Sequence, residues 1–197
     1  MLSLLQQMPS DAATRKQIGR LLLQFGLAKE SADVFREVLE GQPEDAEANA
    51  GLGEAELALN DLSGAQTAFQ RAVRREPGAE GYKKRLQLVE ETILLDPAMR
   101  GLTGGERYRR SRRLVEAALG AWDQCVATKS GAAGDAARGA ADEARKILLV
   151  RRAPRSNADA AEADVALAEQ LWSARVALCG AGRAEDPLGR AMTLVSR

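Results

Sequence analysis

Pro9, Pro43 and Pro77 fall 34 residues apart, and a fixed step of that length constrains this chain more than any single motif in it. The same step carries Ile18-Gly19 onto Leu52-Gly53, Ser31 onto Ala65, Phe35 onto Phe69 and Val38 onto Ala72. It also carries the turn Gly26-Leu27 onto Asn60-Asp61, with a one-residue stagger. Proline has no N–H with which to continue a helix, and it disfavours α geometry at Gln42 and Glu76 just before it. Helices are therefore expected near 12–25, 29–41, 46–59 and 63–75. Gly19 and Gly53 lack a Cβ and let the second helix of each hairpin approach, while Phe35 and Phe69 fill the space between neighbouring hairpins. A generic antiparallel bundle would explain alternating helices but not a constant step.

Composition agrees with helices. Alanine supplies 37 of the 197 residues and aromatics only 4%, which favours helix over sheet and an all-α fold. Histidine is absent, so the commonest general base and metal imidazole are missing. No GxxxxGK[ST], GxSxG or HExxH motif is present, and the glycine-rich stretches at 101–105 and 131–134 follow no expected strand. Acid pairs such as Glu90-Glu91 and Asp142-Glu143 are adjacent on helices and point apart. No catalytic residue, cofactor or metal site is expected, and the chain reads as non-enzymatic. Acidic and basic side chains balance at 28 each, which gives no global reason to bind nucleic acid. No apolar run is long enough to span a membrane. Cys125 and Cys179 form no CxxC pattern; they read as a buried thiol pair or, in an oxidising compartment, one disulfide. Met1 to Leu5 lacks signal-peptide features.

Residues 12–45 and 46–79 resemble tetratricopeptide repeats (TPRs), each a helix with a large apolar residue before Gly, a tight turn, a second helix with small and aromatic residues, and a closing Pro. The second copy fits best, through Leu52, Gly53, Ala55, Ala65, Phe69, Ala72 and Pro77; Asn49 and Glu56 replace the family's usual aromatics. The resemblance implies a right-handed α-α superhelix over 1–97, with a partial repeat at 1–11, in which Leu4 and Leu5 would be buried, and an incomplete one at 80–97. A chain that starts inside a repeat is expected either to be a fragment or mis-started product of a longer protein or to use its first helix as an improvised cap, so location stays open between cytoplasm and periplasm. The resemblance further implies a protein–protein interaction scaffold, similar to bacterial TPR proteins with helical C-terminal extensions. Its groove residues would be Lys16, Arg20 and Gln24, then Ala50, Glu54 and Leu57, then Lys84 and Leu88. That set is basic at its flanks with an apolar centre, which favours an acidic or C-terminal peptide. Lys16 and Lys84 fit the family's carboxylate clamp, but Arg20, Gly51 and Leu88 stand where its Asn and Arg residues belong.

Beyond the repeats, Thr103 three residues before Glu106 marks a helix start. The helix at 104–128 carries the stripe Tyr108, Leu114, Val115, Ala118, Leu119, Trp122 and Val126, and is expected to pack on the last repeat and close the solenoid. Helical patterns at 135–152 and 158–179 are expected to pair as a hairpin, and Asp186-Pro187 to start a short terminal helix, within a segment 135–197. Trp122 and Trp172 sit in apolar stripes as core. The cluster Arg107, Arg109, Arg110, Arg112 and Arg113 reads as a solvated face with Glu106–Arg110 and Arg112–Glu116 ion pairs. The leading functional expectation is a groove that binds a peptide or helix; the alternatives are an assembly subunit of a larger complex, or the non-catalytic part of a longer protein.

Overall fold

The computed structural model describes residues 11–129, 134–150, 157–180 and 186–196. The partial repeat at 1–11 apart from Asp11, most of the connector at 129–134, the expected helix end at 151–152 and the break at 153–156 lie outside the described residues. The described residues form nine helices and no strand: α1 (Ala12–Gln24), α2 (Ala28–Gly41), α3 (Ala46–Ala58), α4 (Leu62–Arg75), α5 (Glu80–Leu95), α6 (Gly104–Thr128), α7 (Asp135–Leu149), α8 (Asn157–Cys179) and α9 (Pro187–Val195). The chain divides into two compact units, 1–90 and 91–197, and α5 runs across the boundary.

In the first unit each helix packs on the next, α1 on α2, α2 on α3 and α3 on α4, and α1 also touches α3. This is the all-α solenoid pattern expected from the repeat. The helix starts are set by acids: the Asp11, Asp45 and Asp61 carboxylates accept from the backbone N–H of Thr14, Ala48 and Gly64. The two hairpin turns are the same turn. Gly26 and Asn60 adopt φ of 76° and 62°, and the next N–H reaches back to the carbonyl of Leu22 in one case and Glu56 in the other, both at 2.9 Å. That is the Schellman closure, which demands a left-handed residue and so takes Gly or Asn. The turns are thus in register with no stagger, one full step of the repeat apart.

Packing between hairpins rests on aromatic rings pressed against bare backbone. A Cβ added to Gly19 would stand 2.8 Å from the Phe35 ring and one added to Gly51 only 2.2 Å from it, so this ring is held between α1 and α3. Phe69 repeats the arrangement against Gly53, at 2.9 Å. Ser31 at the same interface is fully buried, and its hydroxyl donates to the Gly19 carbonyl at 2.8 Å.

The second unit has a separate core. Leu114, Val115, Ala118, Leu119 and Trp122 of α6 meet Ala168 and Leu171 of α8, Ala140, Ala141 and Ala144 of α7, and Leu188, Ala191 and Met192 of α9. The Ser111 hydroxyl donates to Asp164 at 2.9 Å near one end of α6 and α8, and Cys125 is disulfide-bonded to Cys179 near the other. The partners advance in the same direction along both helices, so α6 and α8 run parallel. α6 packs chiefly on α8; α7 contacts both more lightly. Burial pushes the Asp164 carboxyl above its usual range, against the opposing Ser111 hydrogen bond and the nearby Arg112 charge.

The Phe35 ring cannot retreat from a new Cβ at position 51, because Gly19 lies on its other side. Gly51→Ala is therefore expected to cost about 1 to 3 kcal/mol in chemical denaturation. In a Gly51→Ala, Phe35→Leu double variant the two costs should not add, with a coupling above about 0.5 kcal/mol. Simple additivity would mean that the ring and this backbone do not press on each other.

Candidate functional site

The first unit contains a groove of about 410 Å³ whose walls come from the first helix of each hairpin. α1 contributes Arg20 and Leu23; α3 contributes Glu47, Ala50, Gly51 and Glu54; α5 contributes Gly81, Tyr82 and Arg85. Phe35 and Phe69 reach its floor from α2 and α4. The glycine that admits the Phe35 ring also keeps the floor low, since Gly51 offers no side chain to fill it.

The charges in this groove are paired across neighbouring repeats. Arg20 bonds the Glu47 carboxylate, and Arg85 Nε lies 2.7 Å from Glu54 Oε1. Lys16 sits beside them, its ammonium 2.8 Å from Asp45 Oδ2 and 2.6 Å from Glu47 Oε2, with only 15% of its side chain exposed. The four charged lining residues, Arg20, Arg85, Glu47 and Glu54, balance to zero. Burial pushes the Tyr82 hydroxyl above its ordinary value, with the Glu76 and Asp45 charges adding to the effect, so Tyr82 enters the groove as a neutral phenol.

Of the residues expected from the sequence, Arg20, Ala50 and Glu54 line this groove. Gln24 and Lys84 are exposed, whereas Leu57 and Leu88 are buried and serve as packing. The expected basic flank at Lys16 is neutralised. The reason is local: Asp45 caps α3 and Glu47 lies in its first turn, where acids favour the helix dipole, and both stand within reach of Lys16. Sequence reasoning missed Glu47, Tyr82 and Arg85. Glu47 and Gly81, like Gly51 and Arg85, are one repeat step apart, so the period itself carried the signal; Tyr82 occupies the place of the buried Ala48 and is too large to be enclosed there.

The arginine cluster of α6 does not form one surface. Arg110 Nη1 donates to the carbonyl of Ile93 at 2.7 Å, closing the end of α5, while its other nitrogen lies 3.9 Å from Glu106, as expected. Arg112 turns not to Glu116 but to Asp164, at 3.4 Å, and its guanidinium stacks over the Tyr108 ring. Arg109 pairs only loosely with Glu106, at 3.8 Å. Among the described residues no group of three or more His, Cys, Asp or Glu could hold a metal ion, and no helix is long and apolar enough to cross a membrane.

Burial raises the Asp45 carboxyl, but hydrogen bonds from Lys16 and the Ala48 N–H outweigh it and hold the net value below 3.8. A carboxyl lowered in the folded state adds stability above its unfolded value and loses it as pH falls through the folded one. Asp45→Asn keeps a capping acceptor and loses the charge. It should cost about 1 kcal/mol at neutral pH, a gap that closes on acidification below the folded Asp45 value. A pH-independent gap in denaturant melts would refute the role of the Lys16 pair.

Residues 22–88 match the family model described as Tetratricopeptide repeat. No curated protein and no solved structure matches the chain. The matched segment runs from the end of α1 into α5 and contains both hairpin turns, both phenylalanine wedges and most of the groove lining. With the fixed step, the repeated Schellman turns and the consecutive helix packing, this makes the first unit a tetratricopeptide-type repeat segment.

Proposed function

We propose that this protein is a non-enzymatic interaction scaffold, and that the groove formed by α1, α3 and α5 receives a peptide or helix segment of a partner protein. Tetratricopeptide repeats generally mediate protein–protein interaction. The observation that carries the reading here is the groove itself, an open trough over Ala50, Gly51 and two phenylalanine edges, flanked by paired charges. Arg20 and Glu54 of the expected contact set, with Tyr82 and Arg85, are the side chains positioned to meet a ligand; Gln24 and Lys84, both exposed, complete the set, and Lys16, Leu57 and Leu88 only support it. Because the groove charges cancel, an acidic segment gains less here than bare counting of Lys16 and Arg20 suggests. Apolar contact and hydrogen bonds to Tyr82 and the ion-pair edges supply the affinity, and salt affects binding weakly.

An assembly role is the second reading, favoured by one feature. Phe25 is 78% exposed at the end of α1, flanked by exposed Leu21 and Leu27, an apolar patch at the first hairpin. The two readings place the partner on different surfaces.

Gly81 separates them. A Cβ there meets nothing within 4 Å, so Gly81→Leu adds bulk to the groove without crowding the fold. Peptides selected from a displayed library against the full chain should bind Gly81→Leu at least about tenfold more weakly, with no drop in melting midpoint, and should bind Phe25→Glu and Arg109→Glu as they bind the native chain. Unchanged binding by Gly81→Leu would overturn the groove reading; loss confined to Phe25→Glu would support the assembly reading.

A further inference from the structure

The second unit holds two parallel helices together with unequal means at their two ends. Near the start of the pair, Ser111 and Asp164 hydrogen-bond in a buried setting, with Arg112 beside them. Near its end, Cys125 and Cys179 are joined, their Cα atoms 6.0 Å apart and their sequence separation 54 residues. Parallel neighbours need a long crossover, and here that crossover contains α7, whose fully buried contribution to the core is three alanines, with Ile147 and Leu148 partly covered. Small side chains bury little apolar area, so α7 is held weakly by packing alone. The disulfide closes a loop around this thinly packed helix between residues 54 apart in sequence, and a cross-link restricts the unfolded chain more the longer the loop it closes.

We propose that the Cys125–Cys179 bond is a structural staple on which the α6–α8 pairing depends, and that the protein completes its fold in an oxidising compartment. The chain has two cysteines and both are used, so no third thiol is present to reshuffle or catalyse. Cys125 is 5% exposed and Cys179 partly exposed, so a reductant reaches the bond from the Cys179 side. Formation requires a disulfide-donating oxidant of the thiol-exchange class. The Cys125 thiolate attacks the donor's disulfide and releases one donor thiol. The Cys179 thiolate then attacks Cys125 Sγ in the mixed disulfide and releases the second. Two protons and two electrons leave this chain, and the donor's disulfide becomes a dithiol. A reducing cytosol would keep both cysteines as thiols.

The test starts with the protein as its own cells make it. Lysis into denaturant with N-ethylmaleimide, then reduction and labelling with iodoacetamide, should place the acetamide label on both cysteines; N-ethylmaleimide on both would overturn the compartment assignment. The staple itself is read on the purified full chain. Both tryptophans, Trp122 and Trp172, lie in the second unit, so their fluorescence follows it without signal from the first. Reduction with dithiothreitol should lower the fluorescence midpoint by more than about 10 °C, reoxidation with oxidised glutathione should restore it, and Cys125→Ala with Cys179→Ala should match the reduced protein. Equal midpoints for oxidised and reduced chains would overturn the structural role. If the double variant fails to fold, the reduced and reoxidised wild type still decides the question.

Discussion

A phenylalanine ring lying on glycine backbone sets the geometry of the first unit. The side of α1 at Gly19 and the side of α3 at Gly51 both come closer to Phe35 than any Cβ would permit, so one ring fixes the separation of three helices at once. Close packing turns that contact into a rigid constraint, because a buried ring wedged on both sides has no alternative rotamer to occupy. Phe69 and Gly53 apply the same rule one repeat later. The groove follows from it: the residue spared for the ring at position 51 is also the residue that leaves the floor of the trough open.

The ion pairs of that trough have a structural role that limits their functional one. Arg20 with Glu47 joins the first repeat to the second, and Glu54 with Arg85 joins the second to α5. Each pair spans two first helices and so links neighbouring repeats across the groove. An acidic ligand would have to compete with Glu47 or Glu54 for its arginine. A ligand that leaves the pairs intact meets no such competition, and that is the physical ground for expecting apolar and hydrogen-bonding contacts to dominate recognition.

The helices themselves were legible from the sequence to within two or three residues at their described ends, because their punctuation is chemical. Prolines stop α2 and α4, aspartates start α1, α3 and α4, and a left-handed Gly or Asn ends α1 and α3. The electrostatics were less legible. On the inner face of α1 alone Lys16 reads as a basic flank, and the capping acid that neutralises it belongs to the next repeat. Helical spacing points Arg112 to Glu116 on its own helix, whereas tertiary packing brings Asp164 to it. Helical spacing reports neighbours along one helix; it is silent about charges arriving from another.

The most extensive helix partnership in the second unit escaped the sequence for a related reason, although α7 does touch α8. The buried face of α6 carries Leu114, Val115, Leu119 and Trp122, whereas α7 and α8 both bury mainly alanines and are nearly interchangeable as partners for it, so sequence adjacency favours a hairpin of α7 with α8. The structure instead pairs α6 with α8 most extensively, through Leu114, Val115, Ala118 and Trp122 against Ala168 and Leu171. What distinguishes this pairing is polar and covalent: a buried serine–aspartate hydrogen bond and a disulfide, each too specific to form in the wrong register. Where apolar surfaces are alike, a few directional contacts decide which helices meet. In this unit those contacts stand at the two ends of one parallel pair, and the register between them has little freedom to slip.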